Sequence, residues 1–145
     1  MGVQITKLLG LDLGERRIGL AVCDAGPSGE GLAMPAGYLV RTKLQHDISR
    51  VLDVARDREV QAIVVGIPYT LAGGLGLQAK RAQGFIRHLK SSTDLPIYTA
   101  DERFTSFEAE GLLRDAGKQP SRQRGAVDAA AATLILQRFL DLARK

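Results

Sequence analysis

Ala62–Ile67 (A-I-V-V-G-I) is an unbroken apolar run closed by Pro68. A strand without polar alternation marks a sheet covered on both faces, because neither side can be left to water. The rest of the chain must therefore supply partner strands and helices for both sides. Lys7 to Leu13 reads as a first strand and Arg17 to Cys23 as a second, with Gly14-Glu15-Arg16 turning between them. Gly26 to Gly31 reads as a loop, and Ala36 to Arg41 as a third strand completing a meander. Thr42 and Gln45 match a capping box that opens a helix to about Arg58, with Leu44, Ile48, Val51, Leu52 and Ala55 on one face. Leu77 to Lys90 repeats that spacing, and Pro96 to Ala100 is a further strand. Thr105 and Glu108 suggest another capped helix, ending near Gly117. Lys118 to Arg124 reads as a basic loop and Ala126 to Arg144 as a final helix. The order predicts one α/β domain over residues 1–145. Its mixed sheet joins an antiparallel three-stranded meander to parallel strands, flanked by helices.

Composition narrows the classes open to such a domain. At 145 residues the chain can bury a core without staples, and 45% hydrophobic with 25% charged residues argues against disorder. No apolar run approaches the roughly 20 residues of a membrane span. Met1 to Gly14 lacks the pattern of a signal peptide. The single Cys23 cannot form an internal disulfide, so a reducing cytoplasm is expected and a cysteine-rich zinc site is excluded. Twenty basic residues against 16 acidic ones leave a net charge of +4, which permits a polyanionic partner without requiring one. With 5% aromatic residues and no Trp, any base-stacking platform is sparse.

Most acidic residues have an ordinary explanation. Asp47, Asp53, Asp57 and Glu59 are expected on a solvated helix face, and Glu108 as a cap. Three sites differ because each sets a carboxylate beside apolar or small residues: Asp12, the pair Asp101/Glu102 ending a strand, and Asp128 at the start of the last helix. Strand carboxyl ends line the usual functional crevice of an open α/β sheet. Carboxylates converging there repel unless protonated, flanked by bases or bridged by a cation, and hard oxygen donors suit Mg²⁺ or Mn²⁺. Such ions activate water for phosphodiester hydrolysis. The competing reading is structural, with Asp12 and Asp101 capping turns and Asp128 answering a helix dipole.

Four segments resemble one family. Leu11-Asp12-Leu13-Gly14-Glu15-Arg16-Arg17-Ile18-Gly19-Leu20-Ala21-Val22 is similar to the opening signature of the YqgF/RuvX family of RNase H-like proteins. Val65-Gly66-Ile67-Pro68, Asp101-Glu102-Arg103-Phe104-Thr105-Ser106, and Val127-Asp128-Ala129-Ala130-Ala131 with Leu134-Ile135-Leu136-Gln137 resemble its later motifs, in the family's order. The resemblance implies an RNase H-like fold and a cytoplasmic, metal-dependent nuclease. The family is assigned either to maturation of the pre-16S rRNA 5′ end or to Holliday junction resolution. It places Asp12, Asp101 or Glu102, and Asp128 at the acidic positions that hold Mg²⁺ or Mn²⁺, with Asp101 set ahead of Glu102 because it directly follows the strand. Adjacent strand residues point to opposite faces, so only one of the pair can serve. The sequence departs from the family in a longer loop at Ala25 to Gly31 and an unusually apolar segment at Leu71 to Leu77.

Basic residues flank these positions. Arg16 and Arg17 are placed to hold phosphate oxygens or to sit solvated on the turn, and Arg103 to clamp substrate or balance charge. Lys118, Arg122 and Arg124 are candidates for a polyanion track. His46 and His88 lack metal-ligand spacing, and Cys23 has no His nearby, so surface and packing roles are expected. Asp12-Leu13-Gly14 followed by a hairpin also resembles the first phosphate motif of actin-like ATPases and sugar kinases, but those enclose a nucleotide with two such domains. The expected partner is nucleic acid, RNA ahead of a DNA junction, bound by a monomer or homodimer, with no membrane partner. A non-catalytic RNA- or DNA-binding module is the remaining alternative.

Overall fold

A computed structural model of the chain describes residues 6–24, 31–67, 76–101 and 124–143. Among these lie five strands: β1 (Lys7–Leu13), β2 (Arg17–Asp24), β3 (Met34–Val40), β4 (Ala62–Ile67) and β5 (Ile97–Asp101). They form one sheet in the order β3-β2-β1-β4-β5. The pairs β1–β2 and β2–β3 are antiparallel, while β1–β4 and β4–β5 are parallel. Three helices accompany them among the described residues: α1 (Leu44–Asp57), α2 (Leu77–Ser92) and α3 (Arg124–Ala143). The meander and the parallel crossovers are those the sequence predicts, and all residues of β4 are buried.

Alternation along the strands sorts the core into two layers. Leu9, Leu11, Ile18, Leu20, Ile63, Val65 and Ile67 pack against Ile48, Val51 and Ala55 of α1 and Phe85, Ile86 and Leu89 of α2. On the opposite face Leu8, Ala21, Cys23, Ala62 and Val64 lie under Ala132, Ile135, Leu136 and Leu140 of α3. Each such large side chain contributes about 1.5–3 kcal/mol through burial. Small residues set how near α3 comes: a Cβ at Gly10 would stand 2.9 Å from Leu136 Cβ. No helix among the described residues is long and apolar enough to cross a membrane.

Several boundaries and roles depart from the sequence reading. β3 begins at Met34, and α3 begins at Arg124, so Arg124 opens a helix instead of closing a basic loop. The helix expected over 105–117 lies outside the described residues, as do loop residues 26–30 and 118–123. The capping box at Thr42 and Gln45 does not form: Lys43 is the N-cap of α1 and makes no side-chain cap. Asp47 instead holds the residue that precedes the N-cap and is not solvated, being only 1% exposed. Its Oδ1 accepts from the Thr42 amide at 2.9 Å and from Thr42 Oγ1 at 3.2 Å, and its Oδ2 receives Arg41 Nε at 3.4 Å. Arg41 in turn donates Nη1 to the Gly14 carbonyl at 2.9 Å and lies over the Phe85 ring. One buried carboxylate thus ties the start of α1 to the β1–β2 turn.

Removing one member of a buried ion pair leaves the other charge uncompensated, which costs about 3–5 kcal/mol. Asp47→Ala is expected to lose stability in that range in urea unfolding. A loss below about 1 kcal/mol would mean that Arg41 finds its compensation in water.

Candidate nuclease site

β1, β4 and β5 run in parallel, so their carboxyl ends lie along one end of the sheet. Asp12 is the penultimate residue of β1, and Asp101 closes β5 in register with Ile67. The face of Asp12 follows from its neighbours. Leu11 and Leu13 pack with the α1/α2 layer, whereas Gly10 meets Leu136 and Ala132 of α3. Position 12 therefore shares the α3 face with position 10. There Asp12 is half-buried and opposite Gly19 of β2.

α3 brings in the second carboxylate. A Cβ built at Gly19 would overlap the backbone carbonyl of Asp128, so the helix rests on β2 at that residue. Asp128 is therefore seated over the residue paired with Asp12. Arg17, two residues before Gly19 and on its face, donates Nε to Asp128 Oδ2 at 2.5 Å. Both side chains are partly enclosed, at 26% and 21% exposure, and the contact orients the carboxylate. Asp128 lies beyond the first turn of α3, which contains no acidic residue. Answering the helix dipole is therefore not its main role, because that effect fades within the first turn.

Asp12 and Asp128 are thus brought together, and Arg17 stands with them. Glu102, Arg103, Lys118 and Arg122 lie outside the described residues, as does the side chain of Asp101. Among the described residues no group of three His, Cys, Asp or Glu side chains is arranged to hold a metal ion. Arg16 is exposed on the turn, and its carbonyl accepts from the Arg41 amide at 2.8 Å. Two residues here were missed in the sequence. Tyr38 pairs with Gly19 and presents a half-exposed ring against Gly125, where any side chain would collide with it. Arg41 braces the turn that follows Asp12. An aromatic residue in a strand has no visible neighbour until the register is known, and Arg41 looks like a strand-end charge until Asp47 is seen to be buried.

Two carboxylates on one face, one at the end of β1 and one on α3 with an arginine bound to it, offer hard oxygen donors beside a phosphate-compatible cation. Comparison with known proteins gives the family. Residues 6–142 match the family model described as "RuvX: Holliday junction resolvase". A protein of Synechococcus sp. named "Putative pre-16S rRNA nuclease" is 45% identical over 138 residues, covering 94% of this chain and 90% of that protein. Among solved structures, RuvC of Thermus thermophilus in complex with a Holliday junction substrate superposes with a TM-score of 0.59. It is 18% identical and covers 95% of this chain and 97% of its own. The Fowlpox virus resolvase bound to Holliday junction DNA gives a TM-score of 0.62 at 7% identity, covering 96% and 99%. At such identities the structural likeness concerns the fold alone: a mixed sheet with helices on both faces, shared with RuvC-like resolvases.

Because the atom that a new Cβ would strike is backbone, Gly19→Ala can be accommodated only by shifting α3. Overpacking of this kind costs about 1–3 kcal/mol. Gly19→Ala is expected to lose that much in denaturant unfolding, while Gly37→Ala, with open space around it but a φ of 87°, reports backbone strain alone. Unchanged stability in Gly19→Ala would mean that α3 does not rest on β2 here.

Proposed function

The chain belongs to the RuvX family, and from that premise we propose that it is a divalent-metal-dependent nuclease hydrolysing phosphodiester bonds in RNA, with the 5′ end of pre-16S rRNA as substrate. The observation that carries the reading is the seating of Asp128 over Gly19, which puts it beside Asp12 on one face of the sheet. The donor set fits a hard cation, since it consists of carboxylate oxygens and no thiolate or imidazole. Asp12, Asp128 and one member of the Asp101/Glu102 pair are the proposed holders of Mg²⁺ or Mn²⁺. When bound, the ion lowers the pKa of water to form the nucleophile and stabilises the leaving oxygen. Asp12 and Asp128 fix where the attacking water enters relative to the phosphorus. Arg17 keeps Asp128 oriented, and Arg16, exposed on the turn, pairs with a non-bridging phosphate oxygen. The relatives' names favour RNA, and cytoplasmic location accords with that substrate.

Cleavage of single-stranded RNA, duplex RNA, a pre-16S 5′ leader and a four-way DNA junction, with Mg²⁺, Mn²⁺ or chelator, tests the reading. Cleavage of the leader is expected, with loss in chelator and a fall of more than about 100-fold in Asp12→Asn, beyond the effect of a residue that only supports a ligand. Chelator-resistant cleavage, or full activity in Asp12→Asn, overturns the assignment. Preference for the junction by a dimer would redirect it to resolvase chemistry. RNA binding without cleavage by any ion would leave a binding module.

Within the acidic pair, the strand alternation supports Glu102. Ile97 packs with the α1/α2 layer and Ala100 with the α3 layer, so even positions continue the face of Asp12. Position 101 is in register with Ile67, whose side chain belongs to the α1/α2 layer. Adjacency to the strand favours Asp101 instead, and substitution separates the two. Glu102→Gln is expected to lower kcat by more than about 100-fold and Asp101→Asn by less than about 10-fold. The opposite ranking would place Asp101 at the ion.

A further inference from the structure

An open cleft of about 430 Å³ lies on the other side of the β1 carboxyl end, lined by Leu13 and Gly14 and by Glu15, Arg41, Thr42, Gln78 and Arg81 among others. It starts one residue after Asp12 and uses none of the carboxylates of the nuclease site. Two features make it suited to an oxyanion. Arg41 is held by the Asp47 carboxylate, by the Gly14 carbonyl and over the Phe85 ring, and is one-quarter exposed. Its guanidinium is thus already ordered at the wall, so a ligand that takes its remaining N–H groups does not have to immobilise it. Facing it from the second turn of α2, Arg81 is exposed and makes no ion pair among the described residues. The N-cap of α2, Gly76, has no side chain to satisfy the first-turn amides, which adds partial positive charge on the same side.

The charge balance also favours an anion. Asp47 is buried and neutralises Arg41, leaving Glu15 as the exposed acid of the lining. Against it stand Arg81 of the lining and Lys43 next to Thr42 in the chain, both exposed. We propose that this cleft is a phosphate-binding subsite that holds the backbone of the RNA strand as it crosses the β1 carboxyl end away from the reacting phosphate. The proposal rests on the nuclease reading for its substrate. It adds Arg81, Gln78 and Arg41 as binding residues, on the opposite face of the sheet from the carboxylates. Phosphate contacts carry no base information, so the subsite contributes register and orientation rather than sequence preference.

Binding of a fluorescent pre-16S leader RNA is measured by anisotropy over a salt series, in the Asp12→Asn protein so that cleavage does not intervene. Arg81→Gln added to that protein is expected to weaken binding by about 3–10-fold and to lower the slope of log K against log salt by about 1. Glu15→Gln, which removes the opposing charge, is expected to tighten binding by about 2–5-fold. Arg56→Gln removes the same charge at the far end of α1 and is expected to leave both quantities unchanged. Unmoved affinity and slope in Arg81→Gln overturn the subsite, as does an equal loss in Arg56→Gln, which would mean diffuse attraction. A mononucleotide that raises the melting temperature only when Arg81 is present, with RNA affinity unmoved, would assign the cleft to free nucleotide and also overturn it. Failure of the two readings is separable. A wild-type protein that never cleaves RNA but shows the Arg81 effect loses the nuclease reading alone. One that cleaves through Asp12 without the Arg81 effect loses the subsite alone.

Discussion

At Gly19 the backbone of α3 occupies the place where any other residue would put its Cβ, and the position of Asp128 at this end of the sheet depends on that approach. A helix packed on a sheet is normally held off by the close-packed side chains between them. Here glycine on the strands at positions 10 and 19, and alanine at 129, 131 and 132 of the helix, remove much of that padding. Asp128 consequently reaches β2 with its main chain, and its short side chain suffices to meet Arg17. A longer acidic residue on a more distant helix would reach the same point with extra rotatable bonds and less fixed geometry. The small residues in the opening and closing motifs are therefore a single device, split between the two ends of the sequence.

Electrostatics at the same place have a matching logic. Two carboxylates on one face would oppose each other in the absence of a counter-charge. Arg17 supplies one from within the protein, so the face can assemble before any cation arrives. The pair is only partly withdrawn from water, at 26% and 21% exposure, and its net stabilisation is correspondingly modest. Its structural importance lies in orientation. Arg41 and Asp47 repeat the arrangement on the opposite face, in a drier setting, where they brace the turn after Asp12.

The fold was legible because its strongest signals are local. The unbroken run at Ala62–Ile67, the hairpin spacing around Gly14, and the helical spacing of Leu44 to Ala55 each specify an element without knowledge of the others. Asp12 and Asp128 were legible as carboxylates in apolar surroundings, and the four-motif resemblance linked them. What stayed hidden depends on contacts between distant residues or on faces. Asp47 follows the rule that a charge in an amphipathic helix is solvated until Arg41, six residues earlier, is seen to enclose it. Thr42 has the right spacing for a capping box, but its amide and hydroxyl are donors to Asp47, a residue that a pattern spanning Thr42 to Gln45 does not include. The parity of β5 was likewise hidden until Ile97 and Ala100 were assigned to different layers.

The position of α3 in the chain has a kinetic meaning. β1, β2 and β3 are contiguous hairpin neighbours, so their pairing closes short loops and forms readily. Asp128 belongs to the helix that comes last among the described elements, 109 residues after its counterpart on β2, Gly19. Contacts of that sequence separation are slow to find and are completed only when the rest of the sheet exists to receive them. During synthesis a chain with its sheet already formed would still lack Asp128 on that face. The segment that seals one side of the sheet is thus also the one that delivers Asp128 to the face of Asp12.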